Sequence, residues 1–119
     1  MFKYFKFEEF DSPDLKGSGE KYMSKEFIEK LDYARELAGI SFKINSGYRT
    51  SKHNKKVKGS PNSSHMKGLA ADIHCVDNKS RHLIITALFA AGFDRIGIAS
   101  TFIHVDDDKA KQKGLIWLY

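Results

Sequence analysis

Between Ser24 and Ala38 the apolar residues recur at helical spacing. Phe27, Ile28, Leu31, Ala34, Leu37 and Ala38 fall on one stripe, Ser24 stands where a cap is needed, and Gly39 supplies a stop. This predicts a core helix through about Ala38. The pattern then changes to alternation, and Ile40–Ser46 reads as a strand. Residues 47–64 read as loop, with a helical turn near His53–Val57. Leu69–His74 is almost continuously apolar and reads as a buried strand. A second helix is predicted from about Lys79 to Ala91, with Leu83, Ile84, Ala87, Leu88 and Ala91 facing inward and Gly92 after it. Arg95–Ala99 and Phe102–Asp106 read as neighbouring strands, and Leu115–Tyr119 as a further one. Residues 1–23 mix aromatics with Gly, Ser and Pro and read as a short strand or arm, then loop. Helices set apart from a small, mostly antiparallel sheet predict an α+β fold. With no repeat, low-complexity tract or linker, one domain over residues 1–119 is expected.

Composition narrows the class. At 119 residues the chain suits one modest core, and 41% hydrophobic with 13% aromatic residues is too apolar for disorder. No run approaches the roughly 18 apolar residues of a transmembrane helix. Met1–Glu9 lacks the apolar core and cleavage site of a signal peptide. A lone cysteine, Cys75, excludes an internal disulfide and a multi-cysteine metal site, and reads as a half-buried spare thiol. The net charge is +5, with lysines dense at Lys52–Lys58 and Lys109–Lys113. Such a surface suits anionic polymers or acidic substrates. No nucleic-acid motif accompanies it, so the basic segments read as solvated surface and no nucleic-acid partner is expected.

The candidate chemistry lies in two places. Ser63-Ser64-His65-Met66-Lys67-Gly68-Leu69-Ala70-Ala71-Asp72 holds a histidine with a carboxylate seven positions on, and His104-Val105-Asp106 adds a second imidazole. Two imidazoles and a carboxylate fill three tetrahedral positions of a catalytic Zn2+ and leave the fourth for water. A turn at Lys67-Gly68 would bring His65 back beside Asp72. Asp72 sits among Leu69, Ala70, Ala71 and Ile73, where an unpaired carboxylate is costly. On a strand, His104 and Asp106 point one way and Ile103 and Val105 the other. The same alternation puts His74 on the side of Asp72, where it could orient a ligand. Arg49 can hold a carboxylate in a bidentate fork, in a substrate or in a structural ion pair. Tyr48 lines a cleft or packs; Trp117 and Tyr119 read as packing.

The pattern S-x-H-x-x-G-x-A-x-D over Ser63, His65, Gly68, Ala70 and Asp72 resembles the zinc D-Ala-D-Ala carboxypeptidase family, peptidase family M15. Ser46-Gly47-Tyr48-Arg49-Thr50 resembles its S-G-Y-R-[ST] segment, and Phe102–Asp106 its closing H-x-D strand. The resemblance runs from about Phe42 to the C-terminus, nearest the short branch found in phage and prophage proteins. It implies a hedgehog/DD-peptidase-like architecture and a bound Zn2+ on His65, Asp72 and His104. It further implies hydrolysis of peptidoglycan peptides, with Arg49 beside the substrate and Tyr48 and Ser63 as further binding residues; Ser63 is expected to hydrogen-bond within the metal loop. In much of that family a catalytic acid stands three residues before the last histidine, where this chain has Thr101. Asp106 is then the first candidate for general base and Asp94 the second, although Asp106 could instead hold a ligand histidine. Asp107 and Asp108 read as solvated. The leading expectation is a monomeric zinc peptidase, made in the cytoplasm and brought to the cell wall by other proteins. The alternative, which Thr101 favours, is a zinc-containing wall-binding or phage-structural module without turnover. The bond cut stays open.

Overall fold

A computed structural model describes residues 2–119. The N-terminal segment forms helices where a strand or arm followed by loop was expected: a 3-10 helix, Phe7–Phe10, and α1 (Ser18–Tyr22). The reason is burial. Phe5 and Phe10 meet edge to face at 5.3 Å and both lie inside the core, which a straight strand could not arrange. In α2 (Lys25–Ala38), Ser24 Oγ accepts from the Phe27 amide at 3.1 Å and Gly39 ends the helix at φ 70°, as the capping pattern predicts. Leu37 departs from the expected stripe and is exposed on the last turn.

The strand expected from Ile40 shrinks to β1 (Ile44–Ser46), and of the residues before it only Phe42 is buried. Next come α3 (Ser51–Lys56), a 3-10 helix at Ser64–Lys67, β2 (Ala70–His74), α4 (Asn78–Ala90), β3 (Arg95–Ile98), β4 (Phe102–Asp106) and β5 (Leu115–Leu118). The five strands form one open sheet in the order β1-β2-β4-β3-β5, antiparallel except where β5 runs parallel to β3. The fold is therefore α+β.

α2 and α4 pack together and bring Phe27, Leu31, Ile84 and Leu88 into one core with Ile73, Ile96, Ile103 and Val105 of the sheet. Strand alternation sends the residues between these to the opposite face. There the register aligns Ser46, Asp72, His104, Gly97 and Trp117 in one row across all five strands. Among the described residues no helix is long and apolar enough to cross a membrane.

Candidate metal centre and its cleft

Asp72 and His104 are direct partners on β2 and β4, so their side chains meet without any loop having to place them. His65 arrives from the 3-10 helix Ser64–Lys67. Ser63 Oγ accepts from the His65 amide at 3.2 Å, and Gly68 closes the turn at φ 70°. Gly68 is also pressed on α1: a Cβ there would stand 2.0 Å from the Tyr22 carbonyl oxygen. No other residue meets both demands.

The ring nitrogens are sorted by their partners. His65 Nδ1 lies 2.8 Å from the Gly47 carbonyl oxygen, which can only accept, so Nδ1 carries a hydrogen and Nε2 is the nitrogen turned toward Asp72. Nε2 lies 3.3 Å from Asp72 Oδ1. His104 Nδ1 lies 2.9 Å from the same Oδ1, and His104 Nε2 lies 2.8 Å from Asp106 Oδ2. One ligand atom each from His65, Asp72 and His104 falls within 4.8 Å of the others, and all three residues are buried. Two imidazole nitrogens and a carboxylate oxygen converging in this way fit a Zn2+-type ion.

The electrostatics follow from these contacts. Burial pushes the Asp72 carboxyl up, but hydrogen bonds and charge from His104 and His65 outweigh it and hold the group well below the ordinary carboxylate range. Burial likewise opposes ionisation of Asp106, and His104 and Arg95 bring it down to about 2. Burial lowers the basicity of His104, and its two carboxylate partners, Asp106 and Asp72, more than restore it, so the imidazole is raised above its ordinary value.

The group sits in a cleft of about 350 Å³ whose lining includes Arg49, Ser63, His65, Asp72, His104 and Asp106. Arg49 is held on three sides: Nε donates to Ser46 Oγ at 3.0 Å, Nη1 to Asn54 Oδ1 at 3.3 Å and Nη2 to Asp72 Oδ2 at 3.3 Å. It is thus both cleft wall and ion-pair partner of Asp72. Asp106 stands behind His104, its other oxygen accepting from Arg95 Nε at 2.6 Å.

Other expected residues are not brought together with the group. Tyr48 stacks on Tyr22 at 4.8 Å, packs against the core and does not line the cleft. Asp94 is exposed and lines a separate hollow with Lys30, Asp107 and Lys113. His74, though on the Asp72 face, is exposed at the strand end opposite Phe102, and Thr101 is exposed in the turn before β4. Cys75 is fully buried, not half-buried, and burial pushes its thiol up.

Sequence reasoning missed four participants. Asp108, expected in solvent, is buried and accepts from Ser64 Oγ at 2.8 Å and Lys67 Nζ at 2.9 Å, clamping the His65 turn to the end of β4. Arg95 could have been found by alternation, since it shares a strand face with Gly97. Trp117 and Tyr119 wall the cleft, and the Trp117 ring lies 5.5 Å from that of His104.

A model of the family described as Peptidase M15 matches residues 3–106. The match takes in the metal group and reaches further toward the N-terminus than the three motifs do. No curated protein matches the chain. Peptidase M15 proteins are metallopeptidases, and the matched stretch holds a group able to bind a metal ion. The chain belongs to the peptidase M15 family.

Proposed function

We propose that this chain is a zinc-dependent peptidase that hydrolyses peptidoglycan stem or cross-link peptides. The observation that carries the reading is the convergence of His65, Asp72 and His104 in an open cleft. His65 Nε2, Asp72 Oδ1 and His104 Nδ1 are the atoms that would hold the ion. A Zn2+ held there supplies Lewis acidity toward a peptide carbonyl and acidifies water at its open position. The chain's own residues prepare that site. The Gly47 carbonyl fixes the His65 tautomer and Asp106 fixes the orientation of His104. Arg49 ties down Asp72 Oδ2, leaving Oδ1 toward the two imidazoles. Its guanidinium edge in the cleft can also steady a substrate carbonyl or carboxylate.

Asp72 and Asp106 are the only carboxylates lining the cleft among the described residues. Asp106 is bound on both oxygens and held near 2, a poor base at neutral pH. Its role here is to position His104, and with Asp72 among the metal group no carboxylate of the cleft is left as a general base. This favours a second reading, a catalytically weak zinc module that binds wall peptides. Digestion of purified peptidoglycan with and without chelator, read by mass spectrometry, separates the two. Chelator-sensitive peptide products support the peptidase; zinc binding with no product supports the module.

A further inference from the structure

Four cationic side chains line the cleft, Arg49, Lys58, Arg95 and Lys111, against two carboxylates, Asp72 and Asp106. The pairs cancel selectively. Arg49 is matched with Asp72 and Arg95 with Asp106, which leaves two lysines. Lys58 makes no ion pair among the described residues. Lys111 Nζ donates to Ser64 Oγ at 2.9 Å but lies 3.8 Å from Asp108 Oδ2, an oxygen that Lys67 Nζ approaches to 2.9 Å. The cleft therefore keeps an excess of positive charge on these two ammonium groups.

The backbone marks the same place. Lys58, at φ 58°, is the only non-glycine residue with positive φ among the described residues. It follows Val57, the C-cap of α3, a position where glycine relieves the strain of the left-handed turn. Strain kept by a long charged side chain at the lip of a cleft points to use of that side chain. The turn is also built onto the metal group's support. A Cβ on the next residue, Gly59, would stand 2.0 Å from Asn54 Oδ1 and 3.0 Å from Arg49 Nη1, so Lys58 is carried on backbone packed against the Arg49–Asp72 pair.

We propose that Lys58 and Lys111 form an anion subsite in this cleft that takes a carboxylate of the peptide lying across it, selecting acidic over amidated peptides. This rests on the peptide-binding reading of the cleft, though not on turnover. Ammonium groups act as point charges here, tolerant of geometry but dependent on the ligand's charge. An uncharged amide in place of the carboxylate forfeits the charge-assisted bonds and costs about tenfold in affinity.

The test uses two pentapeptides, L-Ala-γ-D-Glu-L-Lys-D-Ala-D-Ala with its D-glutamyl and terminal carboxylates free, and the same peptide doubly amidated. Calorimetry with chelator present measures binding without cleavage. The parent is expected to bind the acid form about tenfold more tightly, with the preference fading at high salt. Lys58→Gly, which relieves the left-handed strain, and Lys111→Met, which keeps the apolar stem but gives up the bond to Ser64, should stay folded, as a cooperative melt will show, and together abolish the preference. Equal binding of both peptides by the parent, or a preference that survives in the double variant, overturns the subsite. Rates on the zinc-loaded chain are read separately: an acid preference without hydrolysis defeats the peptidase reading and leaves the subsite standing.

Discussion

Nε2 of His104 stands 2.8 Å from Oδ2 of Asp106, two residues further along the same strand, while its Nδ1 faces Asp72 at 2.9 Å. The strand's alternation places an acceptor behind the ring and so decides which nitrogen is left for a metal. Asp106→Asn keeps the shape but weakens both that contact and the bond from Arg95. We expect metal affinity to fall about 10–100-fold, the usual cost of losing such a partner. Competition with a chelating dye measures it, and unchanged affinity would show that Asp106 does not position His104.

The ligand set itself predicts about one Zn2+ per chain. His65→Ala, Asp72→Ala and His104→Ala should each lose most of it by elemental analysis. Asp72→Ala should also lower the melting temperature, because Arg49, mostly buried, is left without its carboxylate. Full zinc content in all three variants is the result that removes this site.

Arg49→Lys tests the same pair from the other side. The guanidinium reaches Ser46, Asn54 and Asp72 at once, and an ammonium can reach only one of them. Asn54 is buried, so its Oδ1 loses a partner it cannot replace with bulk water. A loss of about 1–2 kcal/mol is expected, seen as a melting temperature lower by roughly 5–10 °C. Zinc affinity should fall as well, since Asp72 Oδ2 is released. A variant that melts with the parent and binds zinc equally well would confine Arg49 to substrate contact.

The ligands were legible because their signals are local. Asp72 stands out in an apolar strand, and His104 with Asp106 shows the period of two that a strand imposes. Asp108 was not legible. It follows Asp106 and Asp107 in what reads as a charged turn, yet its partners Ser64 and Lys67 lie more than forty residues away and arrive only when the sheet closes. The N-terminal helices were hidden for a related reason. Phe5 and Phe10 look like parts of an exposed arm until the core they fill exists. Tyr48, by contrast, sits inside a recognisable segment but finds Tyr22 to stack on and never reaches the cleft.

Asp108 supplies the pH dependence. Burial raises its carboxyl, but Lys67 and Ser64 more than offset that, and the group is held below its ordinary value. A depressed carboxyl takes up its proton more readily in the unfolded chain. Its stabilisation is therefore complete above about pH 4 and is lost as the pH falls through the folded value. Asp108→Asn should cost about 1 kcal/mol at pH 7 and loosen the His65 turn. The gap in melting temperature between parent and variant should hold above about pH 4 and narrow as the pH is lowered below it. A gap that stays constant over that range would mean that the charge of Asp108 does not hold the turn.

Gly97 gives the last prediction, because it stands in the middle of the row that builds the site. Its neighbours there are His104 on one side and Trp117 on the other. A Cβ on Gly97 would come within 2.6 Å of Trp117 Nε1 and 2.7 Å of Tyr119 Cε2, so both rings occupy space that any other residue would fill. Gly97→Ala must push the aromatic wall outward or bend β5 away from β3. Such overpacking costs about 1–3 kcal/mol. It should spare the metal, whose three ligands sit on β2, β4 and the 3-10 helix beyond the clash. Trp117 is the only tryptophan in the chain, so its fluorescence reports on this wall alone. In the parent, zinc binding should change that emission, because the ring lies 5.5 Å from His104. In Gly97→Ala the emission should shift toward that of a solvated indole and lose most of its response to zinc, while zinc stoichiometry by elemental analysis stays near one. Parent-like emission together with a parent-like zinc response in the variant would show that the aromatic wall does not depend on the missing side chain at Gly97.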